Sequence, residues 1–424
     1  MLPLIPIPYG ELELPFAFPS EVEVEVLLPS GLEEVGEQAI FGALRDPLGS
    51  PSLSELAKGA RRIVVLVPGK DRRASVDLCL SGVLEVLSAA GVPDSVVSVI
   101  VATGTHARHT DKEMAAILGP EAARRLRFRQ HDCRPGDHLR GLGQTSRGTD
   151  LEFEAEAVEA DLRILVGQVL PHYFAGFGGG RKALLPGVAS TRTILQNHRL
   201  VLDPARGIHP GIRTGALEGN PVHEDMLEAA KSVGPSFVLN TLTSGTGGVV
   251  AAVAGGLEEA HEAGCTLARR YYFPPAQAQY DAVITSPGGW PLDCDFVQSL
   301  KALFHVREVV RPGGAVLWVA DCRQGMKEGF RRWAAFQDED ELEHRVRSQY
   351  DLAAHNSLIL RAFTRNARVG LVSTLPAEEV RCLGLEAFES LEQGLAWLSP
   401  WLRGGARCAV LPCGNLTVPR LEAP

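Results

Sequence analysis

The segment Leu170-PHYFAGFGGGRKALLPGVAS-Thr191 carries the densest chemical signal in this 424-residue sequence. His172 comes first, glycines follow with the run Gly178, Gly179 and Gly180, and Arg181 and Lys182 close the string. Glycines let a backbone approach a ligand closely, and free amides at a helix start bind anions. With Arg181 and Lys182 read at such a start, a phosphate-bearing cofactor is the natural occupant. Neither standard nucleotide fingerprint is intact, however. Lys182 is followed by Ala183 where a phosphate loop needs Ser or Thr, and a G-x-G-x-x-G frame begun at Gly176 ends on Arg181. The same spacing also suits a glycine-rich turn that only joins a strand to a helix.

Further candidates sit in comparable places. His106 closes Ala102-Thr-Gly-Thr-His directly after an apolar run, and His198 lies in Ile194-Leu-Gln-Asn-His on a helix soon after the glycine-rich segment. Imidazoles transfer protons near neutral pH and ligate borderline divalent metals, although each could equally be a hydrogen-bonded structural histidine. Gln298 and Lys301 stand three residues apart on one helix face, where an amide and an ammonium could grip a carboxylate or hydroxyls; a solvated face has the same pattern. Lys70, Asp71, Arg72 and Arg73 follow the first strand as a charge run that suits a second anion contact or simple solvation.

The elements that must position these residues read as an α/β fold. Short β-branched runs at residues 62–68, 96–104 and 161–168 alternate with helix-like segments at 76–90 and 111–118. A second series has strands near 281–287, 315–321, 367–375 and 406–413, with helices near 295–309 and 385–398. Two prolines and weak periodicity place a junction in residues 271–280. The expected architecture is two Rossmann-like domains with mainly parallel sheets and an interdomain active-site cleft. Residues 1–272 form an N-terminal cofactor-binding domain, completed by the C-terminal segment 405–424, and residues 280–404 form the other.

Composition bounds the function. The net charge of −9 argues against a nucleic-acid groove, which needs clustered Lys and Arg. The N-terminus lacks the features of a signal peptide and no apolar run is long enough to span a bilayer, so the expectation is a cytoplasmic protein with no membrane partner. The eight cysteines contain no C-x-x-C pair and read as free, mostly buried thiols.

Taken together, these motifs resemble the nickel-pincer lactate racemase family and its 2-hydroxyacid racemase and epimerase relatives. The likeness runs over nearly the whole chain through Ala102-Thr-Gly-Thr-His106, the His172 to Lys182 string, Asn197-His198, Arg213-Thr-Gly, Asn220-Pro-Val-His-Glu-Asp-Met, Pro291-Leu-Asp, Gln298 to Lys301 and Val410-Leu-Pro-Cys-Gly. The resemblance implies a nickel-pincer nucleotide, pyridinium-3,5-bisthiocarboxylic acid mononucleotide, covalently linked at Lys182, with nickel ligated by His198. It implies that His106 and His172 are the acid/base pair on opposite faces of the substrate carbon, and that Gln298 and Lys301 contact substrate, with Tyr173 beside them. Inversion of a carbinol removes a hydride and a proton and returns them to the other face, so two bases fit the chemistry. Arg181 or the amides of Gly178 to Gly180 would hold the nucleotide phosphate, and accessory proteins would make the cofactor.

Departures from the family bear on substrate. The family's Asp-x-Thr-Arg-Pro is here Lys70-Asp71-Arg72-Arg73-Ala74, so either Arg72 or Arg73 polarises substrate, with spacing favouring Arg73. Val297 replaces a tyrosine before Gln298, no tryptophan lies between Trp333 and Trp397, and His355 falls near the place of one. These differences point to a 2-hydroxy acid larger or more polar than lactate. The competing reading, an NAD-dependent 2-hydroxyacid dehydrogenase, needs an intact dinucleotide fingerprint and an acidic ribose contact, and the sequence has neither.

Overall fold

The structure, a computed structural model, describes residues 5–16, 22–70, 74–334 and 336–422. The chain is a mixed α/β protein with two compact units. The first comprises Leu32–Leu200 and Gly211–Arg269, the second Met1–Gly31, Val201–Pro210 and Arg270–Pro424.

The first unit is built on a six-stranded sheet in the order Val249–Gly255, Ser236–Thr243, Leu162–Gln168, Ile63–Pro68, Val97–Ala102, Arg127–Gln130. Only the Val249–Gly255 pairing is antiparallel. Leu162–Gln168 is buried along its whole length, as a strand covered on both faces must be, which explains its near-continuous apolar run. Helices Glu37–Arg45 and Val76–Ala89 contribute Ile40, Leu44, Leu80, Val83 and Leu87 to the core against Val65, Val99 and Ile164. Helix Asp111–Leu118 begins where the sequence signals it, with Thr110 and Glu113 forming a capping box.

The second unit holds an all-parallel sheet in the order Glu386–Phe388, Arg368–Val372, Val310–Val319, Tyr280–Thr285, Arg407–Leu411, Glu23–Val26. This corrects the expected division at both ends of the chain. The 405–424 segment does not complete the first sheet: its strand Arg407–Leu411 inserts beside Tyr280–Thr285, and Glu23–Val26 then adds to its far edge. The reason is pairing: Cys408 to Leu411 and Ala282 to Thr285 present matched apolar runs that are buried in register, and Glu23–Val26, though remote in sequence, pairs with the far edge of Arg407–Leu411.

Both sheets have a switch in strand order, and switch points open a crevice beyond the carboxyl ends of the strands. In the first unit it lies between Ile63–Pro68 and Leu162–Gln168, in the second between Tyr280–Thr285 and Arg407–Leu411. The loop that leaves Leu162–Gln168 carries His172, Tyr173, the Gly178 to Gly180 run, Arg181 and Lys182, and helix Phe296–His305, which follows Tyr280–Thr285, carries Gln298 and Lys301. Among the described residues no helix is long and apolar enough to cross a membrane.

Candidate active site

The loop that leaves Leu162–Gln168 at the switch point folds back as a two-residue hairpin, Pro171–His172 against Gly176–Phe177. Its turn presents His172, Tyr173 and Phe174 as neighbours. The His172 and Tyr173 rings stack at 5.2 Å, and the Phe174 ring meets His172 edge-on at 4.5 Å. Phe174 also contacts His198 at 5.0 Å, and Lys182 Nζ lies 5.6 Å from the Phe174 ring centroid. One buried aromatic ring therefore gathers three of the residues expected to hold the cofactor or move protons. Sequence reasoning passed over Phe174; its place between His172 and Lys182 was the available signal.

His172 Nδ1 accepts a hydrogen bond from the Ala175 amide at 3.3 Å, which in the neutral ring assigns the proton to Nε2. His106 is exposed in the turn after Val97–Ala102, with its amide bonded to the Thr103 carbonyl, and the same turn is tied to the glycine-rich segment by the bond from Gly104 N–H to the Gly187 carbonyl.

The helix Thr191–Arg199 that carries His198 is fixed at both ends. Ser190 caps it through the Thr193 amide, and Thr193 Oγ1 donates to the Asp150 carbonyl. At the other end, Asn197 Nδ2 donates to buried Asp225 at 2.8 Å, and Asp225 also accepts from Thr145 and Thr149. Asn220 Nδ2 donates to the Phe174 carbonyl at 2.9 Å while its Oδ1 caps helix Pro221–Val233. The Asn220 to Met226 motif thus positions Phe174 and the residue preceding His198.

Two of the three amides of the glycine run are engaged within the protein. Gly178 N–H is taken by the Leu170 carbonyl and Gly180 N–H by Asn240 Oδ1. Gly179 has φ +74, and a Cβ there would lie 2.9 Å from Asn240 Oδ1 and 3.0 Å from Val169 Cγ2. No side chain fits that approach. The chain then makes a single 3-10 turn, Gly180–Ala183, so the helix start expected at Arg181 and Lys182 does not exist. The Arg181 guanidinium is buried, bonded to the carbonyls of Ala175 and Phe177 and against His261. Arg72 and Arg73 lie outside the described residues; their flanks, Lys70 and Ala74, leave the Ile63–Pro68 strand on the other side of the switch point.

In the second unit, helix Phe296–His305 is capped by Asp295, whose Oδ1 accepts from the Gln298 amide. Lys301 Nζ donates to Gln298 Oε1 at 2.8 Å, so the two expected substrate contacts form one half-buried polar pair. Close packing at the switch point sets this helix: a Cβ on Gly414 would lie 2.8 Å from Ala302 Cβ, and His305 Nδ1 donates to the Gly414 carbonyl. His355 is not presented as an open contact. It is 1% exposed in helix Ala354–Thr364, with Nδ1 bonded to the Tyr350 hydroxyl at 2.8 Å; Tyr350 is the half-buried member of that pair and was not anticipated.

Burial pushes His305 down to about 4 and His355 down to about 3. Both are therefore neutral when folded, and unfolding lets each take a proton below its ordinary value of about 6.5. Stability they contribute is complete above that pH and falls as pH drops toward 4, by about 1.4 kcal/mol per pH unit for each group. All five tryptophans lie at or beyond residue 290, in the second unit, so their fluorescence reports it selectively. The urea midpoint of tryptophan emission is expected to fall between pH 7.5 and 5, and replacing His355 with Phe should flatten that slope; a midpoint constant over this range would contradict the assignment.

Among the described residues no group of three or more His, Cys, Asp or Glu side chains is gathered to hold a metal ion. A metal whose other ligands belong to a tethered organic group asks for one imidazole and one amine, and His198 and Lys182, both against Phe174, fit that requirement. All eight cysteines are free; Cys79, Cys265, Cys322 and Cys408 are buried and the other four are not.

Comparison with known proteins places these features in a family. Residues 9–209 match the lactate racemase N-terminal domain and residues 276–416 the lactate racemase C-terminal domain. The lactate racemase of Thermoanaerobacterium thermosaccharolyticum is 36% identical over 339 residues, covering 78% of this chain and 77% of that protein. The lactate racemase of Lactiplantibacillus plantarum is 32% identical over 295 residues, 69% of this chain and 68% of that one. The solved lactate racemase apoprotein from T. thermosaccharolyticum superposes with a TM-score of 0.90 at 31% identity, over 99% of this chain and 100% of the other. A Thermotoga maritima structure shares the fold at a TM-score of 0.68 and 16% identity, over 93% of this chain and 100% of the other. The chain belongs to the lactate racemase family of isomerases.

Proposed function

We propose that this enzyme inverts the C2 carbinol of a 2-hydroxy acid larger or more polar than lactate, with a nickel-pincer nucleotide tethered to Lys182. The observation that carries the reading is the convergence of His172, His198 and Lys182 on Phe174 in a chain of this family. When bound, that group would supply reversible hydride acceptance at its pyridinium ring, next to nickel held by His198. The Lys182 amine would anchor it, and the Phe174 ring would back it.

The remaining work falls to the protein. His106 and His172 would exchange the substrate hydroxyl proton, one on each face. To serve as a base, His172 must give up the Ala175 bond, and at 3.3 Å that bond is lost at a cost of about 1 kcal/mol or less. Arg72 or Arg73 would polarise the substrate, and Gln298 and Lys301 would contact it. A cytoplasmic setting, and accessory proteins that make the cofactor, accompany this reading.

Chiral chromatography of a panel of 2-hydroxy acids in D₂O tests it. Enzyme produced with nickel and the accessory pathway should interconvert enantiomers or epimers of a polar member faster than those of lactate, and hydride return should leave C2 free of solvent deuterium. Deuterium at C2 would mean a proton-abstraction mechanism instead. Replacing His198 with Ala should remove bound nickel, measured by elemental analysis, while leaving the Lys182 adduct in place.

A further inference from the structure

Arg181 is 1% exposed, and among the described residues no carboxylate pairs with it. Its Nη2 donates to the carbonyls of Ala175 at 2.9 Å and Phe177 at 3.2 Å, and its Nη1 lies 2.7 Å from His261 Nε2, which is also 3.0 Å from the Gly178 carbonyl. Desolvation drives its pKa down to about 10, and His261 is held well below the ordinary histidine value by burial and by the guanidinium. A buried cation without a counter-charge is expensive, and its retention asks for a geometric reason. The two carbonyls supply one. Ala175 and Phe177 bracket Gly176 at the end of the turn that carries His172, Tyr173 and Phe174, and a planar fork can span both where a point donor cannot.

Other bonds hold the same turn from different sides. Asn220 takes the Phe174 carbonyl, Asn240 takes the Gly180 amide, and the Leu170 carbonyl takes the Gly178 amide. Arg181 supplies the inner support, and it does so from the residue next to Lys182.

We infer that Arg181 is a positioning residue, a backbone brace that fixes the 172–177 turn before any cofactor arrives. Its importance for turnover rests on the racemase reading, but the bracing itself does not.

Hydrogen exchange on the cofactor-free protein separates the two. In Arg181→Lys the Phe177 and Gly178 amides should exchange at least about 10-fold faster than in the parent, with protection elsewhere in the sheet retained. Arg181→Gln should act the same way, and whichever variant stays folded by circular dichroism suffices. In preparations matched by intact mass for the Lys182 adduct, kcat should fall about 10-fold or more with KM within about 3-fold, because the groups that would move protons are displaced while substrate contacts remain. Parental protection at Phe177 and Gly178 in a folded variant would overturn the proposal. If such a variant also lost affinity for nicotinic acid mononucleotide, the guanidinium would be a phosphate contact after all.

Discussion

If the proposed tether holds, replacing Lys182 with Arg should lower racemisation by at least about 10⁴-fold, because the carrier that would accept and return the hydride would be absent from the site. The substitution is chosen to separate tethering from charge. An arginine keeps a cation against the Phe174 ring, where Lys182 Nζ sits 5.6 Å from the centroid, but a guanidinium is not a nucleophile that can hold a thioamide. The backbone at this position is already committed, with Lys182 N–H donating to the Gly179 carbonyl and Gly187 N–H to that of Lys182, and neither bond depends on the side chain. The variant should therefore fold with its melting temperature within a few degrees of the parent. Intact mass spectrometry of protein made with nickel and the accessory pathway is expected to show a mononucleotide-sized adduct on the parent's Lys182 peptide and none on the variant. An active variant, or an active parent with an unmodified lysine, would remove the tether from the mechanism.

The fold was legible in the sequence wherever burial is continuous along a strand. Ile63–Pro68, Val97–Ala102 and Leu162–Gln168 are covered on both faces, and such strands announce themselves as apolar runs. Glu23–Val26 gave no comparable signal. It lies at a sheet edge with alternating Glu and Val, and only its non-local pairing with Arg407–Leu411 assigns it to the second unit. Residue types and spacing singled out His172, His198 and Lys182, and the first unit brings these three to one ring. Spacing could not show that the Arg181 guanidinium is buried against the Ala175 and Phe177 carbonyls or that Gly179 abuts Asn240, because a glycine that avoids a clash and a glycine that approaches a phosphate look alike in sequence. The Tyr350 partner of His355 was hidden for a related reason: which of two neighbouring side chains is enclosed depends on the packing around helix Ala354–Thr364.

His106 and His172 should each lower turnover by about 10²- to 10⁴-fold when replaced by Ala or Gln, with the Lys182 adduct and bound nickel retained. The two positions differ in what else is lost. His106 stands exposed in its turn, so His106→Ala should leave the protein folded. His172 stacks on Tyr173 and meets Phe174, so His172→Gln, which retains bulk and a polar end, is the cleaner probe there. Because the two act in one cycle, the double variant should be little worse than either single one. Steady-state rates alone cannot tell which face each residue serves, since the equilibrium between enantiomers forces the forward and reverse kcat/KM values down together. A single turnover can. Formation of the 2-keto acid from one enantiomer needs only the base on that enantiomer's face, so His106→Ala should block it from one hand of the substrate and spare it from the other, and His172→Gln should do the opposite. Equal loss from both hands in both variants would mean that the two histidines do not divide the faces between them, and that the second base lies elsewhere in the chain.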